Sequence, residues 1–427
     1  MMRAPLLLFA TALVAAAGGC NKDDPNQLNT GGASTSSNTA GTGGESGTTA
    51  TTGGGGASGG SGGQMTGGGG EGGGSSFGDP VLDARVLSYT EALRSASFKL
   101  VGNAPTVQEM MDLQNTPDAE KPAKYASMID EMMTRPAFAV RMVEFWKNAF
   151  RMGGAAAGNT PSRDTAPVFA AKITVDGTPY TDLLTKTTMT CPTFDAATGT
   201  FTDGSCSNGI EPVGVLTDPG VHALYYGNMA FRRTRFFHET FLCRKANEPV
   251  AEPTDMPGPN GPAGYASPWD WNSITGGPGS TVDFHLAEGV ICANCHATWN
   301  HRAPLWGNFD EFGMYQPDIV VHAPTVGLPL AVRKDWLPDN EPTAWKFGKP
   351  AANLTELGAQ MAADPEVHAC AVARMWNYAM SRGDIVETGN KVSDKVVAPL
   401  VTEFTANNFN VKAILRSILI HDDFVRF

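Results

Sequence analysis

Apolar positions recur at helical spacing near both ends of the chain, whereas the middle is broken by proline and glycine. Thr106-Val107-Gln108-Glu109 forms a capping box that opens a short helix after Pro105. A second helix is predicted from Lys124 to Thr134, stopping at Arg135-Pro136. Pro136 then serves as the first residue of the next helix, in which Val140, Met142, Val143, Phe145, Trp146 and Phe150 give a broad apolar face. Towards the C-terminus, Pro365 to Arg382 reads as a helix with Gly383 as its stop, and Ser393 caps a helix through Thr405. Asn410 caps the last helix, where Val411, Ile414, Leu415, Ile418 and Leu419 recur as one buried stripe. Residues 246 to 282 are crowded with Pro and Gly and predict a long irregular loop. The fold class expected is mainly α, an irregular helical domain with long Pro/Gly-rich loops.

The N-terminus carries a different pattern. Arg3 precedes an apolar run from Leu6 to Ala17, too short to span a membrane but suited to a signal peptide over residues 1–19. The run ends in Ala17-Gly18-Gly19-Cys20, which resembles the bacterial lipobox although Ala17 stands where Leu is usual. Cys20 is then the lipidated first residue of the mature chain, opening a segment 20–30, and ordinary signal cleavage beside an incidental Cys is the alternative. Asn21 follows in place of Asp, so the usual inner-membrane retention signal is missing and the outer membrane or cell surface is expected. Residues 31–76 are nearly all Gly, Ser, Thr and Ala and read as a disordered tether, spanning about 35–40 Å on average. The remainder divides into an N-terminal helical segment 77–160, a central segment 161–350 and a C-terminal helical segment 351–427.

The net charge of −12 comes without a basic patch. That argues against nucleic acid and against electrostatic docking on anionic lipid, while a basic redox partner is compatible with it. The chemistry concentrates in Cys292-Ala293-Asn294-Cys295-His296. Two thiols three residues apart and followed at once by an imidazole form the attachment pattern for haem c, in which both sulfurs reach the vinyl groups of one porphyrin and the imidazole binds iron. Cys292 and Cys295 are therefore the candidate covalent haem attachment sites and His296 the candidate iron ligand. No nucleophile elbow, phosphate loop, dinucleotide glycine pattern or zinc-protease helix is present, so no catalytic set is assigned.

Several stretches resemble planctomycete-type cytochrome c proteins, a poorly characterised secreted group. Leu93 to Leu100, Asn103 to Thr106 and Met142 to Phe150 are similar to its opening helical domain. Gly214 to Thr217, Phe237 to Cys243 and Cys292 to His296 with Phe309 to Tyr315 resemble its central segment. Cys370, Trp376 to Tyr378, Ser381 to Gly383 and Phe409 to Phe424 resemble its C-terminal segment. One departure is that the family commonly has Asp-Pro shortly after the haem histidine, where this chain has Asn300-His301-Arg302-Ala303-Pro304.

With Cys20 set aside for lipid and Cys292 and Cys295 for haem, Cys191, Cys206, Cys243 and Cys370 remain. An even remainder in an exported protein suggests two disulfides with three connectivities, and locality favours Cys191–Cys206 with Cys243–Cys370. Met314 is the first candidate for a sixth iron ligand and His322 the next. His301 is too close to His296 to reach the opposite haem face and is expected at the solvated surface, while His285 approaches a propionate or remains a loop residue. Trp269, Trp271, Trp299, Trp306, Trp336 and Trp345 cluster around the motif, where they wall a haem, offer faces to a sugar or fill a loop-rich core.

The reading expected from these features is a lipid-anchored c-type cytochrome whose partner is another redox protein. The alternative is a non-redox binding or scaffold lipoprotein of the envelope, linked to polysaccharide handling, in which Cys292 and Cys295 form a disulfide or part of a metal site. A thiol-disulfide oxidoreductase built on that pair lacks the expected strand-helix context.

Overall fold

Helix ends are written into the chain as short polar caps. In the computed structural model, which describes residues 84–227, 230–246, 248, 251–258, 261–270, 290–317, 321–322, 330–331, 337 and 341–427, the described residues form fourteen helices and only short two-stranded pairs. The fold is mainly α. The signal, Cys20, the tether, His285, Trp271 and Trp336 lie outside the described residues.

Helix α1 spans Tyr89–Leu100 and α2 spans Val107–Gln114. Both halves of the capping box at Thr106 and Glu109 are formed. Helix α3, Lys121–Met132, starts earlier than the periodicity predicts, because Pro122 lies within its first turn, where a missing N–H costs nothing. Helix α4 is Pro136–Phe150 and buries Phe138, Met142, Val143, Phe145, Trp146 and Phe150. It packs on α5, Thr165–Asp176, and Trp146 Nε1 donates to the Thr174 hydroxyl at 2.9 Å. The short helices α6, Asp182–Thr185, and α7, Pro219–Leu224, lead to α8, Phe231–Leu242, and then to α9, Val290–Trp306. The C-terminal set is α10, Leu354–Ala362, α11, Pro365–Ala379, α12, Asp394–Ala406, α13, Val411–Leu419, and a last turn α14, Asp422–Val425.

Helix α11 ends before the expected stop at Gly383. Ser381 takes the left-handed conformation at φ 56°, and the N–H of Arg382 closes back on the Asn377 carbonyl at 2.8 Å. A Cβ at Gly383 would lie 2.5 Å from the Asn390 side-chain amide, which would have to move aside. Within the Pro/Gly-rich stretch, Thr254–Gly258 pairs antiparallel with Gly261–Tyr265, while residues 271–282 lie outside the described residues. An isolated pair tolerates Pro257 and Pro262 because neither strand must donate on both sides.

The two ends of the folded unit share one core. The stripe Val411, Ile414, Leu415, Ile418 and Leu419 is buried, and α13 packs on α11, α3 and α5. Tyr125 donates to the Leu419 carbonyl at 2.8 Å, and Ser88 N–H to the Val425 carbonyl at 2.9 Å. Asn410 Oδ1 caps α13 by accepting from Ala413 N–H at 3.0 Å. Asn410→Ala is expected to cost about 1 kcal/mol in a denaturant titration, while Asn410→Asp keeps most of the stability.

Candidate functional site

Helix α9 holds the Cys-Cys-His motif in its first turns. At 3.6 residues per turn, Cys292, Cys295, His296, Trp299, Asn300 and Ala303 fall on one side. Val290, Ala293, Ala297 and His301 fall on the other. That second side is the anchor: Val290, Ala293 and Ala297 form a small core with Tyr265, Trp269 and Ala344. Asn294 completes the docking, its Oδ1 accepting from Ala266 N–H at 2.7 Å and its Nδ2 donating to the Gly264 carbonyl at 3.1 Å. The two residues between the cysteines thus attach the helix to the hairpin, and the motif side is turned towards α8.

His296 is half-buried on that side. The Phe231 ring meets it edge-on with centroids 4.7 Å apart, and Trp299 lies at 5.8 Å. Burial pushes the imidazole down to about 4, against a weaker opposing effect of Asn300, so it is neutral at neutral pH. Its Nδ1 lies 3.2 Å from Asn300 Oδ1. With the amide oxygen as acceptor, Nδ1 carries the proton and the lone pair is on Nε2, the arrangement a metal-binding imidazole needs. Cys295 is a free thiol whose Sγ lies 3.3 Å from the Ala246 carbonyl. Burial pushes it up to about 11, so it remains protonated rather than acting as a ready nucleophile.

Two buried arginines fix the far half of α9. Arg233, from α8, donates to the carbonyls of Trp306 at 3.0 Å, Phe309 at 2.8 Å, Asp310 at 2.9 Å and His222 at 2.8 Å. This places a cation at the C-terminal end of α9 and against the turn that follows it. Arg302 lies over the Trp345 ring at 4.0 Å and donates to His238 Nδ1 at 2.9 Å. Trp306 stacks on Phe237 at 4.3 Å.

His301 is not at the surface. It is buried, stacked on Trp269 at 3.5 Å, with Nε2 2.8 Å from Glu341 Oε1 and Nδ1 against the Ala297 carbonyl. Its position on the anchor side of α9, opposite His296, is the reason. Met314 is exposed, in a turn after α9 where the Asp310 carboxylate accepts from Met314 N–H at 2.9 Å. Its hydrogen bonds all lie within that turn. His322 lies in a short strand pair with Leu330–Ala331. Cys191 is bonded to Cys206 and Cys243 to Cys370. Sequence reasoning missed Asn300, although its i+4 spacing from His296 was a readable signal. It also missed Phe231, Asn294 and Glu341, whose roles depend on contacts far along the chain.

Buried neutral histidines give the protein a pH dependence independent of any ligand. Burial and the neighbouring Arg233 push His222 well below its ordinary value of 6.5, and burial and Arg302 do the same to His238. The unfolded chain therefore binds more protons below pH 6.5, so the stability is complete above that value and is lost as the pH falls. Asp218, raised to about 6 by burial, offsets part of this because its folded form gains a proton first. His296, also pushed down by burial, adds to the loss, and the expected result is a lower denaturation midpoint at pH 5.5 than at pH 7.5. Denaturant midpoints at the two pH values measure it, and an unchanged midpoint contradicts it.

The donor set suits haem c: a neutral imidazole with Nδ1 engaged, and two cysteines whose spacing brings them to the same side of one helix. Phe231 and Trp299 supply apolar walls and also take up space beside the ring. No curated protein and no solved structure matches the chain. Residues 83–186 match the family model PSCyt2, described as "Protein of unknown function (DUF1549)", a planctomycete cytochrome c-like domain family, and the match runs from before α1 to just past α6 without reaching α9.

Proposed function

We propose that this chain is a lipid-anchored, extracytoplasmic c-type cytochrome-like protein that passes electrons to or from a redox partner. The observation that carries this reading is the motif side of α9, where the spacing of Cys292, Cys295 and His296 brings them to one side of the helix and His296 Nδ1 lies 3.2 Å from Asn300 Oδ1. Haem, when bound, supplies one-electron exchange at its iron. Cys292 and Cys295 would hold it through thioether bonds, His296 would bind the iron, and Asn300 would keep the imidazole oriented. Phe231 and Trp299 would limit water on the ligand side. Met314, exposed in the Asp310 turn, is proposed as a further residue that would bind the iron.

The anchor is proposed at Cys20 and the location at the outer membrane or cell surface, from the lipobox-like segment. No helix among the described residues is long and apolar enough to cross a membrane. The net charge of −12 suits a basic partner. Peptide mass spectrometry after export from a host with haem-attachment machinery tests the reading: the peptide containing Cys292 to His296 should carry one haem. A second reading, a non-redox envelope scaffold, is favoured by one observation, the close packing of Phe231 and Trp299 on His296. An unmodified peptide from the same host supports it.

A further inference from the structure

The Cys191–Cys206 bridge closes the base of a small surface hairpin, formed by Thr193–Asp195 pairing with Thr200–Thr202. Cys191 N–H donates to the Gly204 carbonyl at 2.9 Å, and a Cβ at Gly204 would lie 2.5 Å from the Cys191 carbonyl. Glycine is thus what lets the two arms meet at the bridge. Both cysteines are half-buried rather than enclosed. Behind them sits Asp218, 1% exposed, with Oδ2 3.9 Å from Cys191 Sγ. The two sulfurs and an Asp218 carboxylate oxygen all lie within 4.8 Å of one another. The other bridge, Cys243–Cys370, has both cysteines buried in the core.

We propose that Cys191–Cys206 is a redox-active disulfide, reduced by an external dithiol, with the Asp218 carboxyl as proton donor to the departing Cys191 sulfur. A thiolate of the dithiol attacks Cys206 Sγ, and a mixed disulfide forms. The Cys191–Cys206 bond breaks, its electron pair goes to Cys191 Sγ, and the proton comes from Asp218. The second thiol of the donor then attacks the donor sulfur in the mixed disulfide and releases Cys206. The donor leaves as a disulfide, having given two electrons and two protons, of which one goes to the released Cys206 sulfur and the other restores the acid on Asp218. Burial of Asp218 favours the neutral acid that this step consumes. The groups facing that carboxyl are the Thr165 hydroxyl, the N–H groups of Gly220 and Val221 and the Cys191 sulfur, none of them charged.

The test is reduction of the full chain by dithiothreitol, trapping freed thiols by alkylation and reading each bridge by peptide mass. The ratio of the two bridges' rates cancels the reagent's own thiolate fraction. Expected is a ratio at least about tenfold in favour of Cys191–Cys206 at pH 5.5, falling as the pH rises past Asp218's titration. Asp218→Asn, which keeps the cap on α7, should lose the pH dependence and about tenfold in the ratio at pH 5.5. Equal rates for the two bridges, or a wild-type ratio flat from pH 5 to 8, overturn the proposal without any variant. An Asp218→Asn profile identical to wild type overturns the role of the acid.

Discussion

Replacing both Cys292 and Cys295 by alanine is expected to yield a chain with no covalent haem and no c-type absorption. The expectation follows from the geometry of α9, in which the motif side is separate from the side that holds the helix in place. Ala293, Asn294, Ala297 and His301 keep their contacts with the hairpin and with Glu341 in the variant. The Arg233 bonds to the helix end are also untouched. The variant should therefore remain folded, and loss of haem reads as loss of attachment rather than of structure. A single Cys→Ala change leaves one thioether site and should reduce haem content without abolishing it. Full haem occupancy in the double variant contradicts the assignment.

The second large effect is expected from the bridge between Cys243 and Cys370. It joins the end of α8 to the middle of α11 across 127 residues, so it restricts a very long loop in the unfolded chain. By the chain-entropy relation, its removal as Cys243→Ala/Cys370→Ala should cost about 4–5 kcal/mol. The site gives that loss a functional consequence. Helix α8 carries both Phe231, against His296, and Arg233, against the end of α9, and α11 packs on α8. Loosening the pair should therefore lower the denaturation midpoint and increase hydrogen exchange in α8 and the second half of α9 ahead of α4 and α5. A loss below about 1 kcal/mol would mean that packing between α8 and α11 alone holds the two halves together.

Much of the helical frame was legible because caps are local. Thr106 with Glu109, Ser393 and Asn410 announce helix starts through side chains that reach only two or three residues on. The stripe in α13 was legible for the same reason, since 3.6-residue spacing decides which side is buried. The stop of α11 was misread because glycine is the usual left-handed residue, whereas here Ser381 takes that conformation two residues before Gly383. The Pro/Gly-rich stretch concealed a hairpin whose register depends on pairing rather than on composition.

The site followed the same division. The Cys-Cys-His spacing is readable in five residues, but what surrounds it is not. His301 lies one position past Asn300 and yet belongs to the opposite side of the helix, where Trp269 and Glu341 enclose it. Those partners come from segments far apart in the chain, as do Phe231 and Arg233. The resemblance of the opening helices to a cytochrome c-like group has its counterpart in the family match over residues 83–186. That match stops short of the motif, so the proposal of haem attachment rests on the residues of α9 alone.

The most direct test of that claim is a pyridine haemochrome spectrum of the full-length protein exported from a host with cytochrome c maturation machinery. The account predicts a c-type band at one haem per chain. A colourless protein at full yield from that host would contradict it.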